Sequence, residues 1–294
     1  MECLPACPLC TEKNFSPYVS CKDYTVSQEI FSLQQCDHCG FVLTNPRPEE
    51  AELVKYYQSP AYISHTDSSK QLIDRVYKTA RSFTLKWKYR LLIQHTLTKP
   101  TSVLDYGCGT GSFLNMSKEH GLHIAGVEPA ENARAIAKEQ TGTDIASEIK
   151  NIKGSFDVIT LWHVLEHVVH LNETVKHLKN RLNQNGTIFI AVPNLRSWDA
   201  KHYHQQWAAF DVPRHLWHFS RETMEILMSK HDLKIENVLP MPLDAYYVSL
   251  LSEKYRSRNN AVGQMAQAVI RGKQSNKEAK KTGEYSSLIY IVRK

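Results

Sequence analysis

Thiols, glycines and imidazoles are not scattered evenly along this chain. Two C-x-x-C pairs, Cys7/Cys10 and Cys36/Cys39, lie near the amino terminus. Each pair offers two thiolates from one tight turn, and two such pairs complete a tetrahedron. A thioredoxin-like redox pair would occur once, at a strand-to-helix junction, whereas this pattern occurs twice. Four cysteine ligands leave no open position, so the metal is expected to be a structural zinc. His38 lies between two ligands and is not counted. Cys3, Cys21 and Cys108 are expected to be small packing residues.

A second group runs from Ser102 to Gly111, reading Ser-Val-Leu-Asp-Tyr-Gly-Cys-Gly-Thr-Gly. Branched apolar residues lead into Asp105, then into Gly107, Gly109 and Gly111 at every second position. Glycines there let a strand turn sharply into a helix and let a ligand lie against bare main chain. The loop is read as the seat of a nucleotide-like cofactor. Glu128, at the end of the next strand, is placed to accept hydrogen bonds from ribose hydroxyls. A nicotinamide or flavin enzyme would show G-x-G-x-x-G instead.

The third group is His163, His167, His215 and His218. Imidazole exchanges a proton near neutral pH. Taken singly, each reads more simply as a hydrogen-bonded structural histidine. Together they follow the strands whose carboxyl ends should form a cleft, and His163 and His215 rank first as bases. Asp211 and Arg214 flank His215; they either pair with each other, or Arg214 holds an anionic substrate group. Glu166 with His167 offers ligands for a divalent ion, against a plainer capping or packing role. His202 and His204 are spaced for one face of a strand, without a completed metal set.

These residues need a frame. The chain has 294 residues, 42% hydrophobic and 22% charged, which suits one large domain plus a small one. With 36 basic and 30 acidic residues the net charge of +6 is mild and dispersed, and by itself does not indicate nucleic acid. No apolar run reaches the length of a membrane span, and Met1–Pro5 lacks the pattern of a signal peptide. A cytoplasmic location is the expectation, with the seven cysteines reduced or metal-bound.

Asn45-Pro46-Arg47-Pro48 closes the cysteine segment. A short helix follows over 49–58, ended by Ser59-Pro60, then a long one from about Ser68 to Leu97 with the stripe Leu72, Val76, Phe83, Trp87, Leu91 and Leu92. Tyr56, Tyr57 and Tyr62 could line a substrate mouth, though packing is the plainer role. Beyond Lys99-Pro100, strands and helices alternate. Strands are expected at the opening of the glycine loop, at 123–128, weakly at 144–149, at 156–161, at 187–192, at 233–239 and at 288–292. Helices are expected at 112–119, 130–140, 172–182 and 223–230. The lysine-bearing stretch near 252–284 reads as a solvated loop or an exposed helix face. This is an α/β chain with a doubly wound, Rossmann-like sheet.

Val103–Gly111, Gly126-Val127-Glu128-Pro129, Phe156-Asp157-Val158-Ile159 and Trp162-His163-Val164-Leu165-Glu166-His167-Val168 together resemble the class I S-adenosylmethionine-dependent methyltransferases. The Leu-Glu-His segment, with Asp211–Leu216 and His218-Phe219-Ser220, looks most like the ubiquinone-type O-methyltransferase branch. The leading cysteine knuckles are similar to those of some sugar C-methyltransferases. The resemblance covers roughly 101–294. It implies a seven-stranded sheet with its last strand antiparallel, behind a small zinc ribbon. It also implies that Asp105, Tyr106 and the loop Gly107, Cys108, Gly109 and Gly111 hold the methionine end of S-adenosyl-L-methionine. Glu128 would hold its ribose, and residues 144–146 would border its adenine. Tyr106 and Trp162 would lie near the sulfonium, whose charge an aromatic face favours.

The expected organisation is a zinc-ribbon-like domain over 1–44, a helical linker or lid over 45–100 and a methyltransferase domain over 101–294. The expected reaction is methyl transfer to a small-molecule acceptor at oxygen or carbon, with histidine removing the proton. RNA or protein methylation is the runner-up; residues 7–39 are acidic on balance, which argues against a nucleic-acid ribbon. A non-catalytic scaffold that binds the cofactor alone is the third reading. The acceptor and the oligomeric state are not written in the sequence.

Overall fold

The computed structural model describes residues 1–57, 71–256 and 260–294, with side chains of the long helix described from position 83 onward. Ser59, Pro60, Tyr62 and the side chains of Leu72 and Val76 therefore lie outside the described residues.

Three strands come first: β1 (Phe15–Lys22), β2 (Ile30–Cys36) and β3 (Val42–Thr44). They form an antiparallel sheet with the cysteine knuckles at its end. The fourth strand of this sheet, β8 (Trp217–His218), comes from far along the chain and pairs with β3. The short helix α1 (Glu50–Leu53) continues as a 3₁₀ turn to Tyr57, and α2 (Gln71–His95) follows. In α2, Leu91 and Leu92 are buried as the stripe predicts, but Phe83 is 60% exposed and is not a core residue.

The larger sheet is built from β4 (Ser102–Tyr106), β5 (His123–Val127), β6 (Phe156–Trp162), β7 (Leu182–Pro193), β9 (Lys234–Pro240) and β10 (Ser287–Arg293). Their order is β5-β4-β6-β7-β10-β9. The first four are parallel, and β10 runs antiparallel to both β7 and β9. Near-continuous apolar runs such as 188–192 make these strands, because helices cover both faces. The weak strand expected over 144–149 is reduced to one parallel bridge between Val127 and Ala146. Asn185-Gly186, expected as a turn, lies inside β7, where the pairing with β6 steps from Leu182 to Thr187.

The covering helices are α3 (Ser112–Glu119), α4 (Glu131–Thr141), α5 (Leu171–Arg181), α6 (Trp198–Tyr203), α7 (Arg221–Lys230), α8 (Asp244–Arg256) and α9 (Ala261–Thr282). The stretch near 252–284 is thus the second half of a helical hairpin. His202 lies on α6, stacked on Trp198, rather than on a strand face, and His204 follows it. Cys21 and Cys108 are buried, while Cys3 is exposed.

The two sheets share one core. Leu9, Phe41 and Leu43 of the cysteine segment pack with Leu171, Leu216, Trp217 and Phe219. Polar contacts reinforce the join. Pro8 O accepts from Asn172 Nδ2 at 2.9 Å and from Lys230 Nζ at 2.6 Å.

Candidate active site

The site forms at the carboxyl ends of β4, β5 and β6. The turn after β4 is tied to β5, since Gly107 N and Cys108 N both donate to Val127 O at 2.8 and 3.0 Å. Gly107 has φ of 76°, and a Cβ there would meet Val164 at 2.5 Å. Gly109 also has positive φ, yet a Cβ there would meet nothing within 4 Å. The face above Gly109 is therefore open main chain, the feature a ligand lying on the loop requires. Glu128 braces it: Oε2 accepts from Gly109 N and Oε1 from Ala130 N, each at 2.9 Å. Each carboxylate oxygen retains a further lone pair for a hydroxyl.

Asp105 is buried beneath the loop and accepts from Thr160 Oγ1 at 2.6 Å. Burial pushes its carboxyl up to about 7, against the Thr160 hydrogen bond and the nearby Lys88 charge. Lys88, on α2, places its Nζ 4.4 Å from the centroid of the Trp162 ring. Phe113 meets Trp162 edge-on, and the Trp162 Nε1 is buried without a hydrogen-bond partner among the described residues. The indole thus presents its face to a cation, as the sulfonium role demands, but the cation is Lys88. Burial holds the Lys88 ammonium below its usual range, opposed by Asp105 and Asp244. No motif marks Lys88; it is one residue past a stripe position, on a helix that precedes the glycine loop in sequence.

The imidazoles separate into three environments. His163 sits in the left-handed region at φ of 58°, unusual for a residue with a side chain. Its Nε2 lies 2.9 Å from Asp244 Oδ2 and its Nδ1 3.3 Å from Glu166 Oε1. Burial opposes the imidazolium, but the two carboxylates outweigh it and raise His163 to about 10. A ring already protonated at neutral pH does not take a further proton, so the first-ranked base is a charged anchor instead. Asp244, which opens α8, was missed because nothing local links it to a histidine 81 positions earlier.

His167 is neutral. Burial and the neighbouring His215 lower it to about 4. Its Nδ1 is 3.0 Å from Tyr57 Oη and 3.1 Å from Arg214 O, so the ring tautomer decides which of the two it serves. The His215 ring meets it edge-on at 4.4 Å. His215 Nδ1 lies 2.8 Å from Ala209 O, and a carbonyl only accepts, so the proton is on Nδ1. In the neutral ring that leaves the lone pair on Nε2, which stands 3.9 Å from Asp211 Oδ2. His218 is elsewhere, buried in β8. Thr44 Oγ1 spends its proton on His215 O at 2.8 Å, so His218 Nε2 is the donor at 3.1 Å. Burial pushes His218 well below its ordinary range, and its hydrogen bond ties β8 to β3 within the small sheet.

Arg214 is 1% exposed. Its Nη2 reaches Asp211 at 2.7 Å and Asp23 at 3.0 Å, its Nε reaches Asp211 at 3.0 Å, and its Nη1 donates to Tyr56 O at 3.0 Å. All of this is internal, so Arg214 is not available to an anionic substrate group. Tyr56 packs, and its hydroxyl donates to Glu29; Tyr57 alone of the described tyrosines in that segment reaches the histidines.

Two groups of side chains have donor atoms close enough for a metal. Cys7, Cys10, Cys36 and Cys39 lie with all sulfurs within 4.8 Å of one another. The pairs Cys7/Cys39 and Cys10/Cys36 stand 3.5 Å apart, near the roughly 3.8 Å edge of a tetrahedron with Zn–S bonds of about 2.3 Å. Glu166, His167 and His215 form the second group. The Glu166 carboxylate is buried with neither oxygen hydrogen-bonded among the described residues, which suits a hard cation as well as the His163 ion pair.

The sheet order β5-β4-β6-β7-β10-β9, with β10 antiparallel, is the fold of methyltransferases. The family described as a methyltransferase domain matches residues 77–238, more than half of the chain, and the chain belongs to that family. It is similar to the ubiquinone biosynthesis O-methyltransferase of Idiomarina loihiensis, 32% identical over 108 residues, covering 33% of this chain and 44% of that protein. The mitochondrial counterpart of Saccharomyces cerevisiae is 32% identical over 112 residues, covering 33% of this chain and 36% of that protein. In both cases the matched segment spans less than half of the relative. Two solved structures share the fold. One is an O-methyltransferase from a polyketide synthase multienzyme of Brevibacillus brevis with S-adenosyl-L-homocysteine, at TM-score 0.53 and 13% identity over 76% of each chain. The other is the magnesium protoporphyrin IX methyltransferase of Synechocystis PCC 6803, at TM-score 0.53 and 11% identity, covering 84% of this chain and all of that one.

Proposed function

We propose that this chain transfers the methyl group of S-adenosyl-L-methionine to a small-molecule acceptor, at oxygen in the first instance. The observation that carries the reading is the braced loop from Asp105 to Gly111, with Glu128 beneath an open Gly109 face. The O-methyltransferase relatives support oxygen as the target atom, and carbon remains the chemically adjacent alternative. Bound on the loop, the cofactor supplies an electrophilic methyl group, and the chain's part is to align the acceptor and exclude water. Asp105, Tyr106, Gly107, Cys108, Gly109 and Gly111 would hold its methionine end and Glu128 its ribose; Trp162, whose ring already faces Lys88, is not assigned to the sulfonium.

His215 is the residue assigned to proton removal. Its Nδ1–H is fixed on Ala209 O, and Nε2 carries the lone pair, so the ring is oriented as a base needs. His163, charged between Asp244 and Glu166, anchors the segment after β6, and His167 packs edge-on against His215. The four cysteines take a structural zinc that fastens the small sheet to the site-bearing segment 211–218. Purified without chelators, the protein should carry one equivalent of zinc, and its absence removes that assignment.

The experiment for the activity is incubation of the purified chain with methyl-labelled S-adenosylmethionine and a metabolite extract. Label should enter a low-molecular-weight product. Label confined to RNA or protein refutes the small-molecule reading, and cofactor binding without transfer to any pool refutes turnover.

A further inference from the structure

The hairpin of α8 and α9 carries apolar surface that no other described element covers. Val262 is 78% exposed, Met265 53%, Val269 41% and Ile270 52%. Val262, Met265 and Val269 recur at three- to four-residue spacing along one side of α9, and Ile270 flanks them. The opposite side, through Ala268, Gly272, Ser275 and Ala279, is buried. The same exposed side continues toward the helix carboxyl end as Lys273, Lys277 and Lys280, all exposed. Lys281 is paired with Glu278 at 2.9 Å, and among the described residues no acid pairs with the other three. Each half is about 12 Å long at 1.5 Å per residue. One face thus changes from apolar to cationic along its axis.

We propose that this face docks the protein peripherally on an anionic lipid surface. The apolar half enters the boundary between headgroups and acyl chains, and the lysines meet the headgroup charge. A lipid surface supplies both an apolar interior and an anionic rim in that order. A second copy of the chain does not: paired in parallel, lysines face lysines, and paired antiparallel, lysines face Val262 and Met265. No helix among the described residues is long and apolar enough to cross a membrane, so the attachment is to one leaflet.

The test is cosedimentation of the full chain with vesicles of phosphatidylcholine alone and of equal parts phosphatidylcholine and phosphatidylglycerol. The protein should pellet with the mixed vesicles at low salt, stay in solution with the neutral ones, and be released as salt rises. Lys273→Gln with Lys277→Gln should weaken partition about 25-fold, since one lysine near such a surface is worth about fivefold. Val262→Asp with Val269→Asp should abolish it. Both pairs are exposed, so circular dichroism and melting temperature should match those of the unsubstituted chain. Equal pelleting of all forms, or none, overturns the proposal. So does a dimer in sedimentation velocity that Val262→Asp with Val269→Asp splits, which makes the face a self-contact. A melting temperature lowered by these substitutions also overturns it, because the stripe would then be part of the folded core.

Discussion

Replacing Arg214 with methionine removes the one cation among the described residues that pairs with both Asp23 and Asp211. Methionine keeps most of the volume, so the loss is electrostatic rather than a cavity. It removes four hydrogen bonds of 3.0 Å or shorter, to Asp211 twice, to Asp23 and to Tyr56 O. Breaking a buried pair from one side costs about 3–5 kcal/mol, because a carboxylate is left without its counter-charge. Asp23 softens that cost. It still accepts from Thr25 N, Val26 N, Ser27 N and Ser27 Oγ, so the lower end, about 3 kcal/mol, is expected.

The pH dependence follows from the same groups. Burial raises both carboxyls, but Arg214 outweighs it and holds them below their usual value of 3.8. A depressed folded pKa contributes stability above the unfolded pKa, and that contribution is lost only as pH falls through the folded one. The unsubstituted chain therefore keeps the whole contribution down to about pH 4. In Arg214→Met the carboxyls rise instead, and acid relieves the buried charge. Thermal unfolding followed by circular dichroism between pH 4.5 and pH 7.5 reads the difference. The gap should be about 3 kcal/mol at pH 7.5, a drop of roughly 6–12 °C for a chain of this size, and should narrow toward pH 4.5. A gap below about 1 kcal/mol, or one that widens in acid, refutes the account of Arg214 as a buried counter-charge.

Three further outcomes are expected. Asp244→Asn removes the stronger partner of His163, so its titration, followed by the imidazole proton resonances, should fall from about 10 toward the ordinary range. Because that folded pKa is raised, the stability it lends is full below 6.5 and fades as pH rises through about 10, so the variant should lose stability at neutral pH and little at pH 10; an unmoved titration contradicts the ion pair. Gly109→Ala adds a methyl group to the open face at φ of 53°, and calorimetry should show S-adenosyl-L-homocysteine binding weakened about tenfold with a stability loss of about 1–2 kcal/mol; unchanged affinity means the ligand does not lie on that face. His215→Gln should lower kcat by about 10²–10⁴ while leaving cofactor affinity within twofold, and a kcat within threefold of the unsubstituted enzyme removes His215 as the base.

The glycine turn and the cysteine cluster were readable one segment at a time. Gly107 to Gly111 must turn within five residues, and Cys7-Pro8-Leu9-Cys10 must present two sulfurs from one turn, so residue type and local spacing carry the whole requirement. Strands such as 188–192 were legible because burial on both faces leaves an unbroken apolar run. The histidines were legible as a set, but their roles were not. His163 and His167 lie four positions apart on one segment, yet one is raised to about 10 and the other lowered to about 4. The difference lies in partners that the local pattern does not contain: Asp244 from α8 for the first, and His215 with a buried surround for the second.

What the chain's order of residues determines by itself, then, is where a strand turns over bare glycine main chain and where paired sulfurs are presented, since both depend on backbone turns made by neighbours. The tertiary structure alone decided that His215 Nδ1 is fixed on Ala209 O, that Arg214 is a counter-charge between Asp23 and Asp211 rather than a substrate contact, and that Lys88 stands over Trp162. It also decided that Trp217 and His218 complete the small sheet as its fourth strand. Each of these joins residues from separate stretches of the chain. Charge interactions and burial act through space, and their sign and size are set by distance and exposure, which no local spacing encodes.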